Sequence, residues 1–377
     1  MALQAAFTLN PNEIFASIAN MIISQEVFAD NLGKHQTLVD KARVDGGLYG
    51  DKKLYYATDV LKSHAWGADN EAANLLALDR PEDPKVQDIT LDIFRQIRLT
   101  VDNYLSKRAW STEGAFSSFQ SVMLGWMRET KRVYDGTLYN VFIGATETSV
   151  GKQEVQIDIT SAVSGLSGVE KEKMEAMVIA QELADLIVAM GDYSRDYNDY
   201  GFLRSYGEEA VKVIWNSKHV NKIRKVDLPT IFHKEGLVDK FEEEIIPERY
   251  FGRAIAESDI GSGKVIGADG AYDPTKGTLR TKVELDYNDV HYFPGDKLAE
   301  SGTYVAVVGG LDAKDVYLED ESIICKVLVK LPPMMSSFEV GTSFFNPRSL
   351  TETSYLTFGH NTLEYLKNYP FITVRKA

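Results

Sequence analysis

The chain has 377 residues, 44% of them hydrophobic and 25% charged, which supplies core for roughly two or three domains, or for one core domain with large excursions, and excludes wholesale disorder. Its net charge of -14 argues against broad adhesion to phosphate backbones, because nucleic-acid binders usually present a basic excess. The single cysteine, Cys325, excludes an intramolecular disulfide and a Cys-rich zinc site. Residues 1–45 then read as an arm. Asn10-Pro11-Asn12 opens a short amphipathic helix with Ile14, Phe15, Ile18, Met21 and Ile22 on one side. The opening MALQAAFTLNPNEIF lacks a basic region followed by an apolar core, and no stretch reaches the ~18 apolar residues of a membrane span, so a soluble protein of a reducing cytoplasm is expected.

Residues 46–92 change character. They open with Gly46-Gly47-Leu48-Tyr49-Gly50-Asp51, pass through a strand at Lys53–Ala57 and the breakers of Leu78–Pro84, and return as a strand from Ile89 to Thr100. Two extended segments around a long polar excursion predict a projecting loop. Ser111–Ile143 is the stretch around which the chain is organised. Phe116, Phe119, Met123, Trp126, Met127, Val133 and Tyr134 recur at three- and four-residue steps, with Gln120, Arg128, Glu129, Lys131 and Arg132 mostly elsewhere. Ser111 or Thr112 caps the start, and Asp135-Gly136 predicts an end or kink, giving a helix of about 24 residues or roughly 36 Å.

Glu154–Ile159 alternates as a half-buried strand should. Ser167-Gly168-Val169-Glu170 has the pattern of a capping box, and the helix it opens should stop at a left-handed Gly191. From Ala210, short strands and helices (Val211–Trp215, Ser217–Lys225, Leu228–Glu235, Arg249–Ile255) predict an α+β lobe. Residues 258–280 read as a Gly- and Asp-rich loop or hairpin, with Thr281–Tyr287 and Thr303–Val308 as strands after it. The tail Ser322–Val374 is β-rich and broken at Pro332-Pro333 and Asn346-Pro347.

Chemical motifs fall short throughout. Gly261-Ser262-Gly263-Lys264 resembles a phosphate loop, but Ser258 stands where the first glycine belongs and Val265 where the magnesium-binding hydroxyl belongs. Ile266 likewise breaks a dinucleotide fingerprint. A calcium loop starting at Asp196 would put Tyr200 and Gly207 at ligand positions, so Asp192–Gly201 reads as a solvated turn. The six histidines, 35, 64, 219, 233, 291 and 360, have no metal-ligand spacing, and the run Glu242-Glu243-Glu244 reads as a solvated face. No catalytic, cofactor-binding or metal residue is expected, and no enzyme.

The order of parts (arm, projecting loop, long helix, mixed lobe, β-rich return) resembles the HK97-type fold of tailed-phage major capsid proteins, in details most like small podophages of the phi29-like kind. The resemblance rests on Leu48-Tyr49-Gly50-Asp51, Phe94–Tyr104, the helix from Phe116-Ser117-Ser118-Phe119 to Tyr139-Asn140, Asp199–Lys225 with its strand ending at Trp215, and Asn346-Pro347-Arg348 followed by Tyr355–Phe358. It implies an α+β fold divided as N-terminal arm 1–45, extended E-loop 46–92, peripheral domain with spine helix 93–200, axial domain 201–321, and C-terminal return to the peripheral domain 322–377. It implies a non-enzymatic subunit that assembles with itself into hexamers and pentamers of an icosahedral shell. A separate scaffolding protein, a portal protein at one vertex and enclosed double-stranded DNA, held without sequence-specific binding, are the implied partners. No cofactor and no membrane are implied. The expected location is the virion, with the host cytoplasm during assembly.

Large side chains on excursions tend to find pockets in partners, so Phe15, Ile18, Leu48, Tyr49, Tyr55 and Trp66 are the candidates for self-association. For Phe15 and Trp66 an intrasubunit contact is an equal alternative. An encapsulin-like nanocompartment shell protein shares the fold and is the nearest rival. A small-molecule enzyme with a site assembled from scattered residues is the rival of another class.

Overall fold

The computed structural model describes residues 37–47, 50–63, 80–102, 113–148, 150–220, 242–254, 279–281, 316–337 and 339–377. The class is α+β. In chain order, the strands are β1 (Arg43–Asp45), β2 (Lys52–Ala57), β3 (Lys85–Asp102), β4 (Glu154–Ile157), β5 (Lys212–Asn216), β6 (Glu242–Ile246), β7 (Gly252–Ala254), β8 (Leu279–Thr281), β9 (Val316–Glu319), β10 (Ile323–Leu328), β11 (Met334–Ser336), β12 (Val340–Asn346), β13 (Thr351–Asn361) and β14 (Phe371–Lys376). A long helix, Glu113–Ala145, follows β3, and a second, Gly168–Gly191, follows β4. The strands form a six-stranded sheet ordered β1-β11-β13-β3-β2 with β12 on β13, a five-stranded sheet ordered β4-β14-β10-β5-β6, and a three-stranded sheet ordered β7-β9-β8.

The chain divides into two compact units. One takes Met1–Lys52, Thr90–Tyr139 and Pro333–Thr362, the other Lys53–Ile89, Asn140–Pro332 and Leu363–Ala377. In the first unit β13 pairs antiparallel with β3 along most of its length and with β12 on its other side. The turn between β12 and β13 is the expected Asn-Pro-Arg turn. Asn346 Oδ1 accepts from the Arg348 amide at 3.0 Å, and Leu350, with φ 55°, takes the left-handed position that glycine ordinarily fills.

The long helix does not stop at Asp135-Gly136. Its buried stripe runs through Met127, Lys131, Tyr134 and Asp135, so Asp135 is an interior group held by ion pairs rather than a helix terminator. Arg43 and Lys131 each reach its carboxylate at 3.1 Å. The phase of the stripe therefore differs from the expected one at two places: Val133 is exposed and Lys131 is buried. Trp126 is half-buried, and the side chains of Phe116, Phe119 and Met123 lie outside the described residues.

In the second unit the five-stranded sheet is covered on one face by the second long helix. Val213, Trp215, Cys325, Val327, Ile372 and Val374 lie on that face, matched by pairing register, and form one core with Ile179, Leu183, Leu186, Ile187 and Met190 of the helix. Each fully buried aliphatic of this kind contributes about 1.5–3 kcal/mol. β10 sits centrally, every residue buried, and its opposite face carries Lys326 and Leu328 beside Thr373 and Phe371. The end of the long helix covers that side, with the Phe142 ring 6.4 Å from Phe371.

The second helix begins after Ser167 as expected, but Ser167 makes no side-chain cap bond. It ends at Gly191, yet the cap is Asp192 in an extended conformation, and Gly191 is not left-handed. The acidic segment after it is not a solvated turn. Tyr197 and Asn198 are buried, Asn198 bonds Phe202 both ways, and Asp199 accepts from Gln153 and from the Tyr365 hydroxyl. Of the expected strand Arg249–Ile255, the described part is the end of a 3-10 turn, Glu248–Tyr250, followed by β7, and Ile255 lies outside the described residues. Leu228–Glu235, Thr303–Val308, the phosphate-loop near miss and most of 258–280 lie outside the described residues.

Candidate assembly surfaces

Two strand edges expose apolar side chains, one in each unit. In the second unit the segment leading out along the excursion begins with β2, whose pattern alternates as a strand at a surface should. Leu54 and Tyr56 are exposed, Ala57 is buried, and Val60, Leu61 and Val86 are exposed as well. One carboxylate fixes where the chain leaves. Asp59 accepts from the amides of Leu203 and Val60, each at 2.9 Å, and pairs with Arg195 at 2.6 Å. Arg204 donates to the Thr58 carbonyl at 2.5 Å. Burial would raise the Asp59 pKa, but the Leu203 amide, Arg195 and the Val60 amide outweigh it and hold the carboxyl below its ordinary range.

In the first unit, β12 is the outermost strand beside β13, and all seven of its residues are exposed. It carries Val340, Phe344 and Phe345 and contains neither charge nor proline, the usual protections of a strand edge. Its partner face is polar and cross-linked by hydroxyls. Thr100 and Thr353 bond at 3.0 Å, and Gln96 donates to Thr357 at 3.0 Å.

Of the six candidates for self-association, Tyr55 alone falls among the described residues, and Phe15, Ile18, Leu48, Tyr49 and Trp66 lie outside them. Tyr55 is half-buried on β2, its phenol pKa raised by burial, with the Lys330 ammonium 5.9 Å from its ring. Tyr56, its more exposed neighbour, was passed over by sequence reasoning, although strict alternation makes one of any such pair face outward.

Among the described residues two lysines are buried, and the sequence reading missed both. Lys131 is paired, with Asp135 at 3.1 Å and Glu339 at 3.1 Å. Lys326 is fully buried and donates to two neutral oxygens, the Thr146 carbonyl and Thr373 Oγ1, each at 2.8 Å. Burial draws its pKa down to about 7, with Glu147 acting against the shift and Arg375 with it. The available signal was one lysine inside the apolar run Ile323-Ile324-Cys325-Lys326-Val327-Leu328. Cys325 is buried as expected, and burial pushes its thiol pKa up. Near the first unit's ion pairs, His360 Nδ1 faces the Asn361 carbonyl at 2.9 Å and must carry the proton, so Nε2 accepts from the Tyr134 hydroxyl at 2.9 Å.

Among the described residues no three His, Cys, Asp or Glu side chains converge as metal ligands, and no helix is long and apolar enough to cross a membrane. No family model and no curated protein matches the chain. Solved structures do. The capsid structure of Staphylococcus phage Andhra contains a chain that superposes with a TM-score of 0.58 at 8% identity, over 90% of this chain and 84% of that one. The structure of the head fiber and inner core protein gp22 of native bacteriophage P68 contains another, with a TM-score of 0.53 at 10% identity, over 90% and 87%. The mixed α+β architecture described above is thus shared with a chain in the phage Andhra capsid structure and with one in the phage P68 structure, as the order of parts in the sequence led us to expect.

Proposed function

We propose that the chain is the major capsid protein of a tailed phage, a structural subunit rather than an enzyme. The observation that carries this reading is the fold likeness to the phage Andhra capsid structure, which extends over 90% of the chain and leaves little of it for another task. A shell subunit must touch several neighbours, each standard contact burying about 1,600 Å². The exposed apolar edge of β12 and the exposed group at Leu54, Tyr56, Leu61 and Val86 suit such contacts. The net charge of -14 suits a container for DNA, because a net-negative wall does not hold the phosphate backbone it encloses.

In this reading copies form hexamers and pentamers of an icosahedral shell around double-stranded DNA, in the virion, after assembly in the host cytoplasm. A separate scaffolding protein guides assembly, a portal protein occupies one vertex, and the kinship is with small podophages of the phi29-like kind. The arm at 1–45 and the E-loop at 46–92 reach neighbouring copies, 93–200 and 322–377 form the peripheral domain, and 201–321 form the axial domain. Phe15, Ile18, Leu48, Tyr49, Tyr55 and Trp66 supply the apolar anchors.

Electron microscopy with light scattering on the concentrated chain, with and without its candidate scaffolding protein, tests the reading. Capsomers or closed shells are expected. A persistent monomer under both conditions overturns it. Within assembling protein, Trp66→Ala should lower shell yield and heat resistance, and normal values for both would remove Trp66 from the anchors.

A further inference from the structure

We propose that Lys326 is a proton-operated clasp in the second unit: its side chain ties the central strand β10 to the C-terminal end of the long helix, and acid loosens that strand. The geometry comes first. Lys326 is fully buried, and its amine reaches the Thr146 carbonyl, just past the end of the helix, and Thr373 Oγ1 on β14, each at 2.8 Å. The helix has no basic residue in its own last turn, so Lys326 serves the Thr146 carbonyl at its end from another element. A neutral amine has two N–H groups for these two acceptors. A third proton adds a charge and a donor with no counter-ion among the described residues.

The ionisable groups around it do not supply one. On the strand face that Lys326 shares, Arg375 of β14 draws Glu147, just beyond the helix, to 2.6 Å, Glu154 to 3.3 Å and Asp320 to 3.7 Å. Across β5, Ile214 lies opposite Lys326 and Glu244 of β6 lies opposite Ile214, with Lys212 next on that face bonded to Glu242. Cys325 points to the other face of the sheet with its thiol pKa raised by burial. The thiol is therefore neutral at neutral pH, and the nearest carboxylates are engaged by arginine.

The sign follows from the two states. The native pKa of Lys326, about 7, lies below the ordinary 10.5, so between these values the unfolded chain holds a proton that the native core lacks. Stability therefore falls as pH drops through that window, by up to tenfold in the unfolding equilibrium per pH unit, and levels off below about 7. This linkage is independent of whether copies assemble.

Cys325, the only cysteine of the chain and fully buried on the same strand, reports opening of β10 directly. The test is its rate of modification by 5,5′-dithiobis(2-nitrobenzoate) in the full chain from pH 6 to 9.5, divided into the rate for the unfolded chain at each pH. That ratio cancels the reactivity of the thiol, and light scattering confirms one assembly state throughout. Cys325, its pKa raised by burial, adds its own linkage above about pH 8.5 equally to wild type and Lys326→Met, so the wild-type ratio is read against that of the variant. Wild type relative to Lys326→Met should fall about tenfold per unit between pH 9 and 7.5 and then flatten, and parallel profiles in the two proteins overturn the proposal. Should Lys326→Met not fold, the wild-type chain with 13Cε-labelled lysine decides it. One lysine resonance titrating near pH 7 is expected, and every lysine titrating above pH 9.5 overturns it.

Discussion

Each of the two units buries a lysine, and the two are solved in opposite ways. Lys131 lies one helical turn before Asp135 on the same helix, with Glu339 and Arg43 completing the cluster. Its partners are carboxylates. Lys326 stands alone on a strand whose neighbours offer neutral oxygens, and its charge is discouraged by burial. A desolvated ion pair holds until one partner is removed, whereas an unpaired buried base yields its proton. The difference follows from local geometry, since a helix brings residues four apart together while a strand sends alternate residues to one face.

The largest effect should come from breaking the matched cluster. Asp135→Ala leaves Lys131 and Arg43 without their shared carboxylate and should destabilise the chain by about 3 kcal/mol, toward the low end for buried pairs because Glu339 remains. Urea unfolding measures it, and a loss under ~1 kcal/mol would show that the cluster is far wetter than its geometry. Next come the two lysines themselves. Lys131→Met should cost about 2 kcal/mol at pH 7 by stranding part of Asp135, whereas Lys326→Met should cost less, since it exchanges two hydrogen bonds for relief from stripping the amine of its proton on folding. Equal losses in the two variants would erase the contrast.

The smallest effect is a second pH window. His360 in the first unit is held neutral: burial lowers its pKa against the pull of the Asn361 carbonyl and Asp135. The unfolded ring binds its proton first, so stability should fall as pH drops below 6.5 and level off below the depressed native value. Wild type should therefore lose stability in two separate stages on acidification. His360→Gln should remove the lower stage and leave the upper, and thermal melts from pH 4 to 9 would show whether it does.

What could be read from sequence was whatever repeats. The long helix, β3, the second helix and the β-rich tail announced themselves by period, and their order carried the fold. The errors were at single residues whose meaning depends on distant partners. Asp135-Gly136 looked like a stop because nothing local revealed Arg43, ninety-two positions away in sequence. Asp192–Gly201 looked solvated because its ties to Gln153 and Tyr365 are equally remote. Lys326 was passed over because one charge barely alters the hydropathy of a six-residue run. The assembly surfaces were legible only as excursions, with Tyr55 named and the more exposed Tyr56 not.

The open edge of β12 has a consequence for the chain before it meets any partner. Among the described residues nothing pairs with its outer side, so seven uncharged, proline-free exposed residues offer another strand an edge to join. Pairing between two equivalent edges terminates itself at a pair, whereas pairing with a different segment runs on until geometry closes a ring or supply is exhausted. A stock of this protein is therefore a race between closure and open-ended growth. Concentration and the time since dilution set the winner, and they belong in the description of any sample as much as its buffer does.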